Sequence, residues 1–160
     1  MDRGRAAAAE VLDDGLSLDE DARRAVSIDV DVEILDAMES RLDAARTSLS
    51  TSCGIPLTRR EGAGFIRYGD GGFYGPHRDR GYDPQWPDAA RRRLAVVVFL
   101  NNEGFTGGEL VIYRCTSDDR SDPIRVTPRQ GWLVAFDAAL LHEVRRVSGG
   151  VRDVVVDWFY

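Results

Sequence analysis

A chain of 160 residues, 43% hydrophobic and 30% charged, is sized for one domain with its own core and is too short for two. Its net charge of −6 argues against a general nucleic-acid binder, whose phosphate contacts need clustered cations, and no run approaches the ~20 apolar residues of a membrane span. The opening MDRGRAAAAE lacks the apolar core of a signal peptide, and Cys53 and Cys115 form neither a CxxC pair nor a disulfide-rich pattern, so reduced thiols in a cytoplasmic protein are expected.

Residues 1 to about 25 are polar, acidic and weakly patterned; they are expected to fray as a tail or to form a short helix around residues 6–12. From Asp31 the pattern sharpens. Leu35, Met38, Leu42, Ala45 and Leu49 recur at steps of three and four, which predicts an amphipathic helix over residues 31–53. Asp31 and Glu33 fall in its first turn, where carboxylates suit the helix dipole, and Gly54 with Pro56 ends it. Such a helix needs a surface to lie on. Short β-rich runs separated by Gly, Pro, Asn and Asp supply one, with strands expected at 64–68, 73–77, 94–100, 109–113, 124–126, 132–136, 142–147 and 152–159. Antiparallel strands backed by one long N-terminal helix predict a mainly β fold with supporting α. A double-stranded β-helix, or jelly roll, is expected over residues 63–160 within a single domain, with a flat β-sandwich as the alternative. All cations are arginines, and their one dense run, Arg91-Arg92-Arg93, reads as a charged strand entrance that discourages edge pairing.

The chain has only two histidines, His77 and His142. His77 opens the triplet His77-Arg78-Asp79, and on an extended backbone residues i and i+2 project from one face, so His77 and Asp79 can grip one ion together. His142 lies in a late strand. Two imidazoles and one carboxylate on one side of a metal make the facial triad of non-haem iron(II) oxygenases, which leaves adjacent positions open. Taken one at a time, a His-x-Asp triplet or a strand histidine is more often accidental than a ligand.

Arg152 adds the third element. In the terminal strand, alternation puts Arg152, Val154, Val156 and Trp158 on one face and Asp153, Val155 and Asp157 on the other. With the first set inward, a guanidinium sits in a mostly apolar cup with no acid on its own strand face, and an anion is its natural partner. The opposite orientation buries two unpaired carboxylates, which is worse.

These residues resemble the 2-oxoglutarate and Fe(II)-dependent oxygenases, in particular their prolyl-hydroxylase-like branch, from about Phe65 to Tyr160. The stretch FIRYGDGGFYGPHRD over residues 65–79 looks like that branch's approach to its first metal ligands. Gly107-Gly108-Glu109-Leu110 looks like its Gly-Gly-x-Leu turn, and Gly131 to Phe136 like the strand before the distal histidine. The resemblance implies Fe(II) on His77, Asp79 and His142, with no catalytic residue beyond these ligands. It also implies 2-oxoglutarate paired through its 5-carboxylate with Arg152 and bordered by Tyr68, dioxygen as co-reactant, and ascorbate as reductant. Trp158 sits where the branch has a pocket tryptophan, whereas Phe99 replaces a tyrosine that helps hold the cosubstrate in some members.

The implied reaction is hydroxylation of an unactivated C–H bond. A prolyl residue in a polypeptide is the first expectation for substrate, a free amino acid or small metabolite the second, and neither nucleic acid nor membrane is expected as a partner. Two other classes remain: a zinc hydrolase built on the same triad, and a jelly-roll binding module without catalysis. The hydrolase leaves Arg152 and Tyr68 without a task. Residues 80–90 leave the second ligand directly; Gly81, Pro84 and Pro87 disfavour a strand there, and the aromatics Tyr82 and Trp86 mark it as a substrate lid or as a loop folded back on the barrel wall.

Overall fold

Alternating apolar positions from Gly64 onward give every strand two usable faces, and the fold uses both. The computed structural model describes residues 6–8, 22–84, 86–114 and 120–160. In chain order the elements are β1 (Ala6–Ala8), β2 (Arg23–Arg24), β3 (Val26–Ile28), α1 (Val32–Cys53), β4 (Gly64–Tyr68) and β5 (Phe73–His77). A 3-10 helical turn (Pro87–Arg91) follows, then β6 (Leu94–Phe99), β7 (Thr106–Gly107), β8 (Leu110–Tyr113) and β9 (Pro123–Val126). The chain closes with β10 (Leu133–Asp137), β11 (His142–Val144), β12 (Val147–Ser148) and β13 (Arg152–Phe159).

The strands form a six-stranded sheet in the order β1-β3-β4-β13-β6-β10, a five-stranded sheet in the order β2-β5-β11-β8-β9, and the small ribbon β12-β7. All pairs are antiparallel. This is the expected jelly roll. Its interior is filled from both sheets: Ile66, Tyr68, Val97, Phe99 and Val154 of the first meet Leu110, Ile112 and Val144 of the second. The outer face of the first sheet carries Phe65, Leu94, Val96, Val155 and Phe159, which pack under Leu42 of α1 with Leu35, Met38 and Leu49 around it. Burying a leucine such as Leu42 contributes about 1.5–3 kcal/mol, so the helix is held by its apolar stripe rather than by its own propensity. It ends where Gly54 takes a left-handed conformation (φ 67°) and returns its N–H to the Thr51 carbonyl, as the Gly54 position leads one to expect.

Four expectations are corrected. Ala6–Ala8, offered as part of a short helix, is a strand paired with Val26–Ile28; residues 9–12 of that helix lie outside the described residues. The strand expected over 142–147 divides into β11 and β12. The chain turns between them to give Val147 N–H to the Gly72 carbonyl, while the Gly71 N–H returns to Val147. Alternation holds along β13, with Arg152, Val154, Val156 and Trp158 inward, but Asp157 on the other face is fully buried rather than solvated. It lies beneath α1 and is paired with Arg60, which also bonds Glu39 and Asp43 of the helix. Burial pushes the Asp157 carboxyl above its usual range against the pull of Arg60 and of the Gly62 amide. The fourth correction concerns the Arg91-Arg92-Arg93 run, whose middle member is buried and turned toward the interior. Among the described residues no helix is long and apolar enough to cross a membrane.

Candidate metal centre and anion pocket

His77 ends β5 and His142 begins β11, and the two are direct partners across that strand pair. Their ring centroids are 4.1 Å apart. Asp79 lies just past the end of β5, where its own N–H (3.1 Å) and that of Arg80 (2.8 Å) both donate to the Ala138 carbonyl. The turn that precedes His142 therefore holds the loop that carries Asp79. His77 Nδ1 lies 2.8 Å from the Gly75 carbonyl and His142 Nδ1 lies 3.0 Å from the Leu140 carbonyl. A carbonyl only accepts, so both Nδ1 atoms carry the proton and both Nε2 lone pairs are free.

Those lone pairs converge. His77 Nε2 is 3.6 Å from Asp79 Oδ1, and His142 Nε2 is 3.4 Å from Asp79 Oδ2. All three donors lie within 4.8 Å of one another. The two shorter separations are less than the sum of two metal–ligand bonds of about 2.1 Å, so one ion can bridge each pair. The protonation states also suit a metal. Burial drives the His142 imidazole well below its usual value, with His77 adding to the effect, so the ring is neutral near pH 7. Burial alone would raise the Asp79 carboxyl, but the two imidazoles and a hydrogen bond from Trp158 hold it far below the carboxylate range. Tyr74 stacks on His77 at 3.4 Å and Phe136 meets His142 edge-on at 4.7 Å, so both rings are wedged in place.

Arg152 begins β13 opposite Tyr68. It is 1% exposed, and none of its three guanidinium nitrogens has a hydrogen-bond partner among the described residues. Its guanidinium carbon lies 5.0 Å from the Tyr68 ring centroid and 5.3 Å from that of Phe99. Burial pushes its pKa down. Gly108, at φ 68°, passes so close that a Cβ there would fall 2.7 Å from Arg152 Cδ, which explains a glycine at this point of the Gly107-Gly108 pair. A buried guanidinium left unpaired costs several kcal/mol, and a carboxylate is the group whose geometry its fork matches.

A cavity of about 430 Å³ opens over the triad, lined by His77, Asp79, His142, Tyr68, Trp86 and Trp158 among others. Arg152 does not itself line this cavity; it stands against Tyr68, which does. Of the apolar wall expected beside Trp158, Val144 and Val156 face the cavity, whereas Val154 is interior core. The two aromatics of the 80–90 segment part company: Trp86 reaches the cavity while Tyr82 is 82% exposed and does not. At the cavity wall Glu61 escapes any reading of the sequence, and Arg92 is legible only as part of a charged run. Arg92, 3% exposed, pairs through both Nε (2.7 Å) and Nη2 (2.5 Å) with Glu61. No local pattern could have found Arg92, because the 3-10 turn before it breaks the alternation of β6.

The family profile described as the 2OG-Fe(II) oxygenase superfamily matches residues 63–160. A PKHD-type hydroxylase of Klebsiella pneumoniae (strain 342) is 33% identical over 141 residues, 86% of this chain and 57% of that protein. The PKHD-type hydroxylase PCC8801_2196 of Rippkaea orientalis is 34% identical over 98 residues, 59% of this chain and 40% of that protein. The chain thus spans about half the length of these curated relatives. Among solved structures, a Pseudomonas putida prolyl-4-hydroxylase superposes with a TM-score of 0.70 at 26% identity, covering 89% of this chain and 74% of that one. A Trichoplax adhaerens prolyl hydroxylase in complex with a peptide fragment of the hypoxia inducible factor oxygen degradation domain shares the fold, with a TM-score of 0.72 at 19% identity, over 97% of this chain and 70% of that one. The chain belongs to the 2OG-Fe(II) oxygenase superfamily, in its prolyl-hydroxylase-like branch.

Proposed function

We propose that this chain is a 2-oxoglutarate-dependent iron(II) dioxygenase that hydroxylates a prolyl residue of a polypeptide. His77, Asp79 and His142 hold the iron, Arg152 takes the 5-carboxylate of 2-oxoglutarate, and Tyr68 borders it. The observation that carries this reading is Arg152, a buried guanidinium without an acceptor among the described residues, in the same barrel as a convergent His-Asp-His set. A hydrolase on the same triad gives that cation nothing to bind.

Bound iron, with 2-oxoglutarate as electron donor, would activate dioxygen, the oxidant for a C–H bond that no side chain could attack. The chain's own residues have other tasks. Nδ1–H bonds to Gly75 and Leu140 keep both imidazoles aimed, with Nε2 turned to the ion, and Asp79 supplies the charge that a divalent ion needs. Arg152 fixes the far end of the cosubstrate, and a fixed far end orients the reacting end. Val144, Val156 and Trp158 form the wall that excludes water. Trp86 closes over bound substrate from the rim, with Tyr82 ahead of it as the outer part of the same lid. Ascorbate serves as reductant to keep the iron in its ferrous state.

The prolyl substrate is supported by the names of the similar proteins, PKHD-type hydroxylases and a prolyl-4-hydroxylase. The experiment is a panel of proline-containing peptides and free amino acids incubated with Fe(II), 2-oxoglutarate and ascorbate, read by mass spectrometry. A gain of one oxygen atom on a peptidyl proline is expected. Turnover of free amino acids alone would replace the polypeptide with a small substrate.

A further inference from the structure

The wall of the cavity also carries charge that the reaction as described does not use. Arg92 is buried there, and each part of its guanidinium has a distinct neighbour. Nε and Nη2 grip the two oxygens of Glu61, at 2.7 and 2.5 Å. Nη1 donates to the main-chain carbonyl of Asp79 at 3.1 Å. The guanidinium carbon lies 3.9 Å from the centroid of the Trp158 ring, in cation–π distance. Trp158 in turn lines the cavity together with Asp79, and its indole N–H helps hold the Asp79 carboxyl down. Arg92 therefore reaches Asp79 twice, once through the backbone and once through the indole.

Glu61 is held from its far side as well. The Tyr160 hydroxyl donates to its Oε2 at 2.5 Å. The hydrogen-bonded chain Tyr160–Glu61–Arg92 reaches the main chain of Asp79, with Trp158 stacked on Arg92 at its side. Its members come from four separate segments. Charge burial of this kind is costly for stability, since replacing a buried ion pair by apolar side chains is often neutral or favourable. A buried pair that bonds the main chain of a candidate metal ligand has another use.

We propose that Arg92, oriented by Glu61, is a positioning residue for Asp79. This inference rests on the assignment of Asp79 as a metal ligand. A carboxylate is free to turn about its terminal bond and has two equivalent oxygens, whereas His77 and His142 are already locked by their Nδ1–H bonds. Asp79 is the one member of the triad that needs external orientation. The indole N–H engages one part of the carboxylate, the stacked guanidinium fixes the plane of the indole, and the Nη1 bond fixes the backbone from which the side chain departs. With the carboxylate so held, it presents the ion with a defined lone pair and leaves the neighbouring positions clear.

The test is metal binding, followed by titrating Mn(II) into metal-free protein and counting free ion by electron paramagnetic resonance, together with the melting temperature of the metal-free protein. Trp158→Phe keeps the ring under Arg92 and removes only the N–H; Glu61→Gln keeps an acceptor for Tyr160 and removes the charge that orients Arg92. Each is expected to weaken Mn(II) binding about 10-fold or more, the range for loss of a residue that orients a ligand. The metal-free melting temperature is expected to stay within about 2 °C of wild type in Trp158→Phe, and to fall in Glu61→Gln, which leaves the buried Arg92 without its anion. Because both act on Asp79 through one chain, the double variant is expected to lose less than the product of the two single losses. Affinities within twofold of wild type in both single variants, fully multiplicative losses, or a Trp158→Phe loss matched by a fall in its metal-free melting temperature would each overturn the proposal. If the wild-type protein binds no Mn(II), the ligand assignment itself falls and this inference with it. Wild-type binding with unaltered variants removes this inference alone.

Discussion

His77 and His142 face each other directly across the β5–β11 pair, and each ring is fixed by a hydrogen bond to the carbonyl two residues before it. The fold itself therefore holds both rings in place, and the proposed ligand atoms are separable from it. His77→Ala and His142→Ala are each expected to weaken Fe(II) or Mn(II) binding by more than about 100-fold, beyond the loss typical of an outer-shell change. The far-UV circular dichroism is expected to stay that of the wild type. Equilibrium metal titration alongside the spectrum checks both halves of this expectation.

Arg152 should behave in two opposite ways. Without a carboxylate to bind, it is a buried cation with no acceptor, so Arg152→Met is expected to stabilise the cosubstrate-free protein, by about 1–4 kcal/mol as for other buried charges replaced by apolar side chains. The same substitution is expected to cost about 2–5 kcal/mol of 2-oxoglutarate affinity, a loss of well over tenfold, with metal binding retained. Thermal melts with and without 2-oxoglutarate read both effects in one experiment. A variant that melts earlier than wild type in the absence of 2-oxoglutarate would mean that Arg152 has a structural partner.

Gly108 controls the space beside that arginine. A methyl group there would stand 2.7 Å from Arg152 Cδ and 3.2 Å from Val147 Cγ2, at a φ of 68° that disfavours any side chain. Gly108→Ala is expected to destabilise the protein by about 1–3 kcal/mol and to weaken 2-oxoglutarate binding through a displaced Arg152. Urea denaturation measures the first effect and cosubstrate titration the second.

The sequence makes the site more legible than its support. Alternation along β13 is enough to place Arg152, Val154, Val156 and Trp158 on the inner face, because a strand has only two faces and one of them carries the worse burial problem. The same alternation cannot say what covers the other face. Asp157 was therefore expected in solvent, and it lies buried because Arg60, from a distant segment, comes to meet it under α1. Arg92 was hidden for a different reason. It sits between a 3-10 turn and a strand, where neither period applies, and its flanking arginines disguise it as part of a charged surface run. Ala6–Ala8 shows propensity losing to pairing: alanine favours helix, but the free edge of β3 offers a ladder.

Arg60 carries the clearest stability expectation. Its side chain is 6% exposed and its partner Asp157 is fully buried, so Arg60→Ala leaves an unpaired carboxylate under the helix. A loss of about 3–5 kcal/mol in urea denaturation is expected. The double variant Arg60→Met, Asp157→Leu removes both charges and is expected to recover most of that loss. A double variant as unstable as the single would show that the Arg60 bonds to Glu39 and Asp43, rather than the stranded Asp157, dominate.

The central claim is that the His-Asp-His set and Arg152 together run 2-oxoglutarate-dependent oxidation. The most direct measurement is succinate formed per 2-oxoglutarate consumed, in air with Fe(II) and ascorbate, for wild type and His142→Ala. The account predicts one succinate per 2-oxoglutarate in the wild type, none without iron or dioxygen, and none in the variant. Wild-type protein that binds Fe(II) yet consumes no 2-oxoglutarate, or a variant that forms succinate at the wild-type rate, would contradict it.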